Sequence, residues 1–249
     1  MSLALAAAFA APGLAVGSFL NVIASRMPLR RSLVKPGSAC MSCGTPIATR
    51  DNIPVLSYVL LHGRCRACAA RIPLRYPLVE LVTGLLVAGC GLRFGLSAYA
   101  VLAAVFCIVL VAVSAIDFEH RIVPNRIVIP AAGAALLAQL VREPSIEWPL
   151  AALGASLFLF VAAVAYPRGM GMGDVKLALL LGAFLGREIA VGLMIGLLAA
   201  LVPAAVLLAT KGSAARKLAI PFAPFLAFGA VVALFAGHGL LEWYLGLTR

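Results

Sequence analysis

Eight apolar runs dominate this sequence, each cut from the next by a short charged or glycine-rich segment. They cover residues 2–25, 77–92, 96–116, 127–141, 148–166, 175–186, 189–210 and 220–247. Only residues 26–76 form a hydrophilic stretch too long to be a turn. Inside a bilayer every backbone polar group must be satisfied within the protein, so apolar runs of this kind are helices. The chain is 63% hydrophobic, whereas a soluble domain is about half apolar. The predicted fold is therefore all-α: a polytopic membrane helix bundle of about eight transmembrane helices, with one small polar loop.

Charge predicts the orientation. The first run has no basic segment before it, but Arg26, Arg30, Arg31 and Lys35 follow it. Basic loops stay in the cytoplasm, so the N-terminus is expected outside and residues 26–76 inside. With that start, all but Arg93, Arg142, Arg187 and Arg249 of the 20 Lys and Arg residues fall on the cytoplasmic side. The net charge of +11 is thus a feature of the membrane face. No basic stripe is interleaved with aromatic residues, so membrane lipid is the expected partner and nucleic acid is not.

The polar loop holds Cys40-Met41-Ser42-Cys43-Gly44 and Cys65-Arg66-Ala67-Cys68. Two CxxC pairs at this separation have the spacing of a four-cysteine zinc site. Disulfides and a redox pair are the competing readings. A cytoplasmic loop disfavours lasting disulfides, and a redox pair needs no twin. The loop has few large apolar residues, so a metal would supply its folding energy. Cys90 and Cys107 lie within apolar runs and read as packing.

Two aspartates adjoin apolar runs. Asp117 lies in Ile116-Asp117-Phe118-Glu119-His120-Arg121, and Asp174 closes Gly169-Met170-Gly171-Met172-Gly173-Asp174, before Val175 and Lys176. A carboxylate at the mouth of a membrane segment points to function. Two such groups brought together cannot both ionise, so one serves as acid and the other as base. The plainer role for Asp174 is a helix N-cap. Gly171 and Gly173 allow a sharp turn and close backbone approach, and Lys176 is expected to snorkel or pair with a carboxylate. Midplane carboxylates and an inverted repeat would instead suggest a proton- or cation-coupled transporter; the aspartates sit at span ends, and no repeat is visible.

Other polar residues carry blander expectations. Asn21 reads as an interhelical hydrogen bond. Glu119 and His120 read as solvated loop, and His238 and Glu242 as an interface or helix–helix contact. Glu80, about a turn inside the second run, reads as a structural partner of Arg71 or Arg75. The runs at 127–141 and 175–186 span only about 22 and 16 Å at about 1.5 Å per residue, against a bilayer core of about 30 Å. Short spans beside the aspartates predict a wet cleft open to the cytoplasm.

These motifs resemble a known family. Gly171-Met172-Gly173-Asp174 with Lys176 is similar to the GxGD signature of intramembrane aspartyl peptidases. Asp117 with Pro124-Asn125 resembles the first aspartate motif of type IV prepilin peptidases. Gly17-Ser18-Phe19-Leu20-Asn21-Val22 with Arg26 and Pro28, then Pro36-Gly37-Ser38, Asp51-Asn52-Ile53-Pro54 with Ser57-Tyr58, and Ile220 to Ala227 follow in the same order. The segment before Cys40 is shorter than in many members, and Ala223 stands where members often have Gly.

The resemblance implies a leader peptidase that is also an N-methyltransferase. Its catalytic residues would be Asp117 and Asp174, supported by Gly171, Gly173 and Lys176. Its substrates would be the short basic leaders of prepilins or pseudopilins, cut at the cytoplasmic face of the inner membrane. The new N-terminus would be methylated from S-adenosylmethionine, with Gly63 and Glu80 as the candidate donor site and Cys40, Cys43, Cys65 and Cys68 holding zinc. The expected division is 1–25 as first membrane helix, 26–76 as zinc loop, and 77–249 as peptidase core. A basic leader meeting a basic face implies recruitment by anionic lipid, or by Asp51, Glu80 or Glu119. A peptidase lacking methyl transfer is the nearest alternative.

Overall fold

The computed structural model describes residues 2–166, 170–212 and 220–247. Gly169 and the basic residues Arg168, Arg216, Lys217 and Arg249 lie outside the described residues. Nine α-helices are described: α1 (Ser2–Arg26), α2 (Leu56–Leu60), α3 (Arg75–Phe94), α4 (Ala98–His120), α5 (Asn125–Arg142), α6 (Glu147–Ala165), α7 (Met172–Leu185), α8 (Ile189–Lys211) and α9 (Ala223–Leu247). All but the five-residue α2 correspond to the eight apolar runs. Six spans among them are long and apolar enough to cross a membrane, α7 and α8 counting as one continuous 40-residue stretch. The chain is an integral membrane protein. Among the described residues there is no strand beyond two isolated bridges, Ala39 with Pro46 and Arg64 with Arg71.

Several helix ends move relative to the apolar runs, and the shifts matter. The third run ends at Ile116, yet α4 continues to His120, so Asp117 lies inside the helix. Helix α5 begins at Asn125 and α7 at Met172, because backbone hydrogen bonding does not stop where hydropathy does. At about 1.5 Å per residue these helices reach about 27 and 21 Å, still short of a bilayer core. Gly186, at φ +57, ends α7. A side chain there would also meet Glu147 Oε1 at 2.6 Å and the Trp148 ring.

The chain forms two compact units, Met1–Glu119 and His120–Arg249. In the first, α1 packs along α3. Leu20, Val111 and Ala112 are buried together, with Val16, Val79, Leu86 and Ile108 against them, which joins α1, α3 and α4 in one core. Asn21 is buried and donates from Nδ2 to the Tyr76 carbonyl at 3.1 Å. This is the interhelical bond expected of it. Cys90 and Cys107 are fully buried, their sulfurs 3.9 Å apart.

In the second unit α7 packs against α5 and α6, and α8 against α9. Polar ties punctuate apolar contact. Ser156 donates to the Val175 carbonyl at 3.1 Å, and buried Gln139 donates to the Phe184 carbonyl at 2.6 Å. The latter satisfies one of the orphan carbonyls that every helix end leaves. His238 meets Glu242 at 3.2 Å and Glu188 at 3.9 Å, a contact between α9 and the turn before α8.

Candidate functional site

Asp174 is 8% exposed and occupies the third residue of α7, not its N-cap. Gly171 takes the cap position with extended backbone, and its carbonyl accepts from the Asp174 N–H at 3.1 Å. The carboxyl group therefore sits in the first turn, where the helix dipole favours negative charge. Gly173 is required by close approach: a Cβ there would lie 2.8 Å from Val123 Cβ. The segment before Asn125 is thereby seated on the start of α7. Lys176 completes the arrangement, donating from Nζ to Asn125 Oδ1 at 3.1 Å. Its partner is an amide, where the sequence pointed to solvent or a carboxylate. The Pro124-Asn125 motif and the Gly171–Asp174 turn are thus held against each other.

Asp117 is 5% exposed within α4, one turn from the helix end. Its neighbour Glu119 is no solvated loop residue. It forms an ion pair with Arg75, whose guanidinium also donates to Tyr76 Oη at 3.1 Å and lies 4.8 Å above the Tyr76 ring. Glu80 is left without Arg75 and takes a different partner: Oε2 accepts from the Val55 backbone N–H at 2.7 Å. Asp51 forms a two-pronged pair with Arg66, at 2.8 and 2.7 Å. Hydrogen bonding and charge from Arg66 hold the Asp51 carboxyl below its ordinary range. The stability from this lowered pKa is present above the unfolded carboxylate range and is lost as pH falls through the folded value. Asp51, Glu80 and Glu119, the three carboxylates suggested for leader recruitment, are all engaged internally.

The cysteines meet in two similar knuckles. In the first, Cys40 N–H donates to the Thr45 carbonyl at 2.9 Å and Gly44 N–H to the Cys40 carbonyl at 3.0 Å. In the second, Cys65 N–H donates to Ala70 at 2.8 Å and Ala69 N–H to Cys65 at 2.9 Å. Gly44 and Ala69 occupy equivalent positions, with φ +71 and +58. The four sulfurs lie within 4.8 Å of one another, and Cys40 and Cys68 are 3.8 Å apart. A tetrahedron with metal–sulfur bonds of about 2.3 Å has edges of about 3.8 Å. The four thiols therefore fit a metal ion. Hydrogen bonding to the Thr45 side chain and backbone lowers the Cys43 thiol to about 6. At Cys68 the Ala70 backbone pulls the other way, but Cys43, burial and the remaining thiols prevail and push it up to about 12.

Beside the knuckles lies a cavity of about 590 Å³. Asn21 and Ser25 of α1, Asp51 and Tyr58 of the loop, and Tyr76 and Glu80 of α3 line it. Gly63, at φ +68, abuts the wall: a Cβ there would come 2.8 Å from the Tyr58 hydroxyl. Sequence reasoning singled out Glu80 and Gly63 but missed their attachments to Val55 and Tyr58. It also missed Gln139 and the role of Asn125. Only the Asn125 role had a local signal, a polar residue just after a proline at a helix start.

Two family models match the chain: the bacterial Peptidase A24 N-terminal domain over residues 12–94, and the type IV leader peptidase family over residues 104–209. Curated relatives carry the name prepilin leader peptidase/N-methyltransferase. The Bacillus subtilis protein is 36% identical over 241 residues, covering 95% of this chain and 96% of the relative. A Burkholderia pseudomallei protein is 37% identical over 90% of this chain and 83% of its own length. One from Myxococcus xanthus is 40% identical over 74% of this chain and 57% of its own length. No solved structure matches.

Proposed function

The chain belongs to the type IV leader peptidase family, and on that premise we propose that it cuts prepilin or pseudopilin leaders and methylates the N-terminus released. The observation that carries this reading is that the leader peptidase match spans both Asp117 and Asp174, each buried at a helix end. The transport alternative has no such support.

The two aspartates act as a pair sharing one proton. The ionised member takes a proton from water as the water oxygen bonds to the scissile carbonyl carbon, and the neutral one protonates the carbonyl oxygen, giving a tetrahedral gem-diol. The roles then reverse: the first gives its proton to the amine nitrogen as the C–N bond breaks, and the second takes a proton back from the gem-diol as the carbonyl reforms. Gly171 leaves room for an extended peptide beside Asp174, Gly173 lets Val123 pack against the turn, and Lys176 holds the Asn125 segment in place. Water reaches the pair through a cleft at the short helices α5 and α7. Phe118 is 65% exposed but Val175 is 5% exposed, so thiol labelling from the cytoplasm is best tested at Phe118 and at the half-exposed Met172.

Functionally, residues 1–25 form the first membrane helix, 26–76 the zinc loop and 77–249 the peptidase core. The loop and both aspartates face the cytoplasm from the inner membrane. Cys40, Cys43, Cys65 and Cys68 hold zinc, which links the two knuckles and supplies folding energy that the loop's small core lacks. S-adenosylmethionine, when bound, supplies the methyl group. The cavity walled by Tyr58, Tyr76 and Glu80 and braced at Gly63 is its site, of a volume ordinary for small-molecule pockets. With Asp51, Glu80 and Glu119 already paired, anionic lipid is the better source of attraction for a basic leader.

Purified protein incubated with a prepilin, with and without S-adenosylmethionine, tests both halves by intact mass. Leader loss in both samples and a methyl gain only with the donor are expected. Failure to cleave would overturn the peptidase reading, and cleavage without methyl gain would leave only the peptidase.

A further inference from the structure

Glu80 lies in α3 in close packing with α1; a Cβ on Gly17 would stand 2.8 Å from Glu80 Cα. From this rigid seat its carboxylate reaches one backbone N–H, that of Val55. Val55 has φ 61 and ψ −48. Across it, the Leu56 N–H donates to the Pro54 carbonyl at 2.6 Å. This is a γ-turn of the rare, strained hand, and a β-branched residue at positive φ is an outlier. Such strain persists only where the surroundings over-determine it, and it gathers at functional sites.

The surroundings here are specific. Ser57 is buried, accepts from the Ile53 N–H at 3.0 Å and donates to the Arg50 carbonyl at 3.1 Å. Glu80 grips the centre of the turn from another helix. Helix α2 starts immediately after Val55 and carries Tyr58 into the cavity wall. We propose that Glu80 is a positioning residue for methyl transfer: its carboxylate holds the Pro54–Val55–Leu56 turn in its strained form and so sets α2 and Tyr58 as one wall of the donor cavity.

The proposal rests on the reading that this cavity takes S-adenosylmethionine, and it differs from Glu80 acting as a base or binding the donor directly. A glutamine keeps the hydrogen-bond acceptor and removes the charge. A glycine at position 55 adopts positive φ without strain and lessens the need for a clamp. Full-length protein in lipid nanodiscs would be compared as wild type, Glu80→Gln, Glu80→Ala and Glu80→Ala/Val55→Gly. Leader cleavage and metal content serve as folding controls. Glu80→Gln is expected to methylate within about threefold of wild type, and Glu80→Ala to raise the KM for S-adenosylmethionine by about tenfold or more, the size of one lost charged hydrogen bond. The double variant should recover most of that loss. Hydrogen exchange of the 53–60 segment should quicken in Glu80→Ala alone.

Loss of methylation in Glu80→Gln equal to that in Glu80→Ala, with exchange at 53–60 unchanged, would overturn the proposal in favour of a chemical role. Unchanged exchange in Glu80→Ala would also overturn it. If wild type neither binds S-adenosylmethionine nor adds a methyl, the methyl-transfer reading fails by itself.

Discussion

In the loop between α1 and α3, Met41, Ile53, Leu56, Val59 and Leu60 are exposed, and order comes from named polar ties: Asp51 to Arg66, Glu80 to Val55, Ser57 to Arg50, and four thiols together. Around the start of α7, Val175, Leu177, Ala178, Leu180 and Leu181 are all buried, and polar ties are few. The loop depends on single groups, whereas the bundle spreads its stability over many contacts. One substitution in the loop should therefore remove a whole function, while one in the bundle should do so only at the reacting carboxylates.

The sharpest break of this contrast lies at the aspartates. Asp117→Asn and Asp174→Asn should each lower leader cleavage by about 10³-fold or more, the upper part of the range for acid–base groups. Each protein should retain its wild-type elution volume and unfolding temperature. Substantial cleavage by either would remove the paired-carboxylate mechanism. Next comes the loop itself. Cys40→Ser/Cys65→Ser should lose its zinc by elemental analysis and its methylation by mass, while cleavage stays within about threefold because the aspartates lie outside the loop. Unchanged metal content would refute the ligand set.

Within the second unit, Lys176→Met should reduce cleavage about tenfold by freeing Asn125, with KM and kcat measured separately on a leader peptide. Gln139→Leu should lower stability by about 1 kcal/mol, the scale of hydrogen bonds between membrane helices. Thermal unfolding would detect this, and cleavage at room temperature should not change. A greater loss of stability here than from the cysteine substitutions would erase the contrast between the regions. The smallest effect is at the second knuckle. Ala69→Gly matches Gly44 and should strengthen the fold by about 0.5 kcal/mol, seen as slower zinc transfer to a chelator.

Much of this was legible in one dimension. Apolar runs located all eight long helices, since hydropathy over some 20 residues is a strong signal. The cysteine spacing predicted a cluster that the structure brings together, because each CxxC closes its own knuckle through local hydrogen bonds. Helix ends were less legible. Asp117 falls inside α4 and Asp174 in the first turn of α7, since a helix continues while its backbone bonds can form, whatever its side chains.

Composition, charge order and motif spacing by themselves determined a polytopic helical membrane protein with a four-thiol loop and two aspartates at the ends of apolar runs. They did so because bilayer solvation and metal geometry act on residues close in sequence. Pairings across long separations were decided only by tertiary structure. Arg75 sits five residues from Glu80 yet pairs with Glu119, 44 residues away. Glu80 in turn reaches back 25 residues to a strained Val55. No periodicity encodes such choices; they depend on which helix surfaces meet, and at what depth.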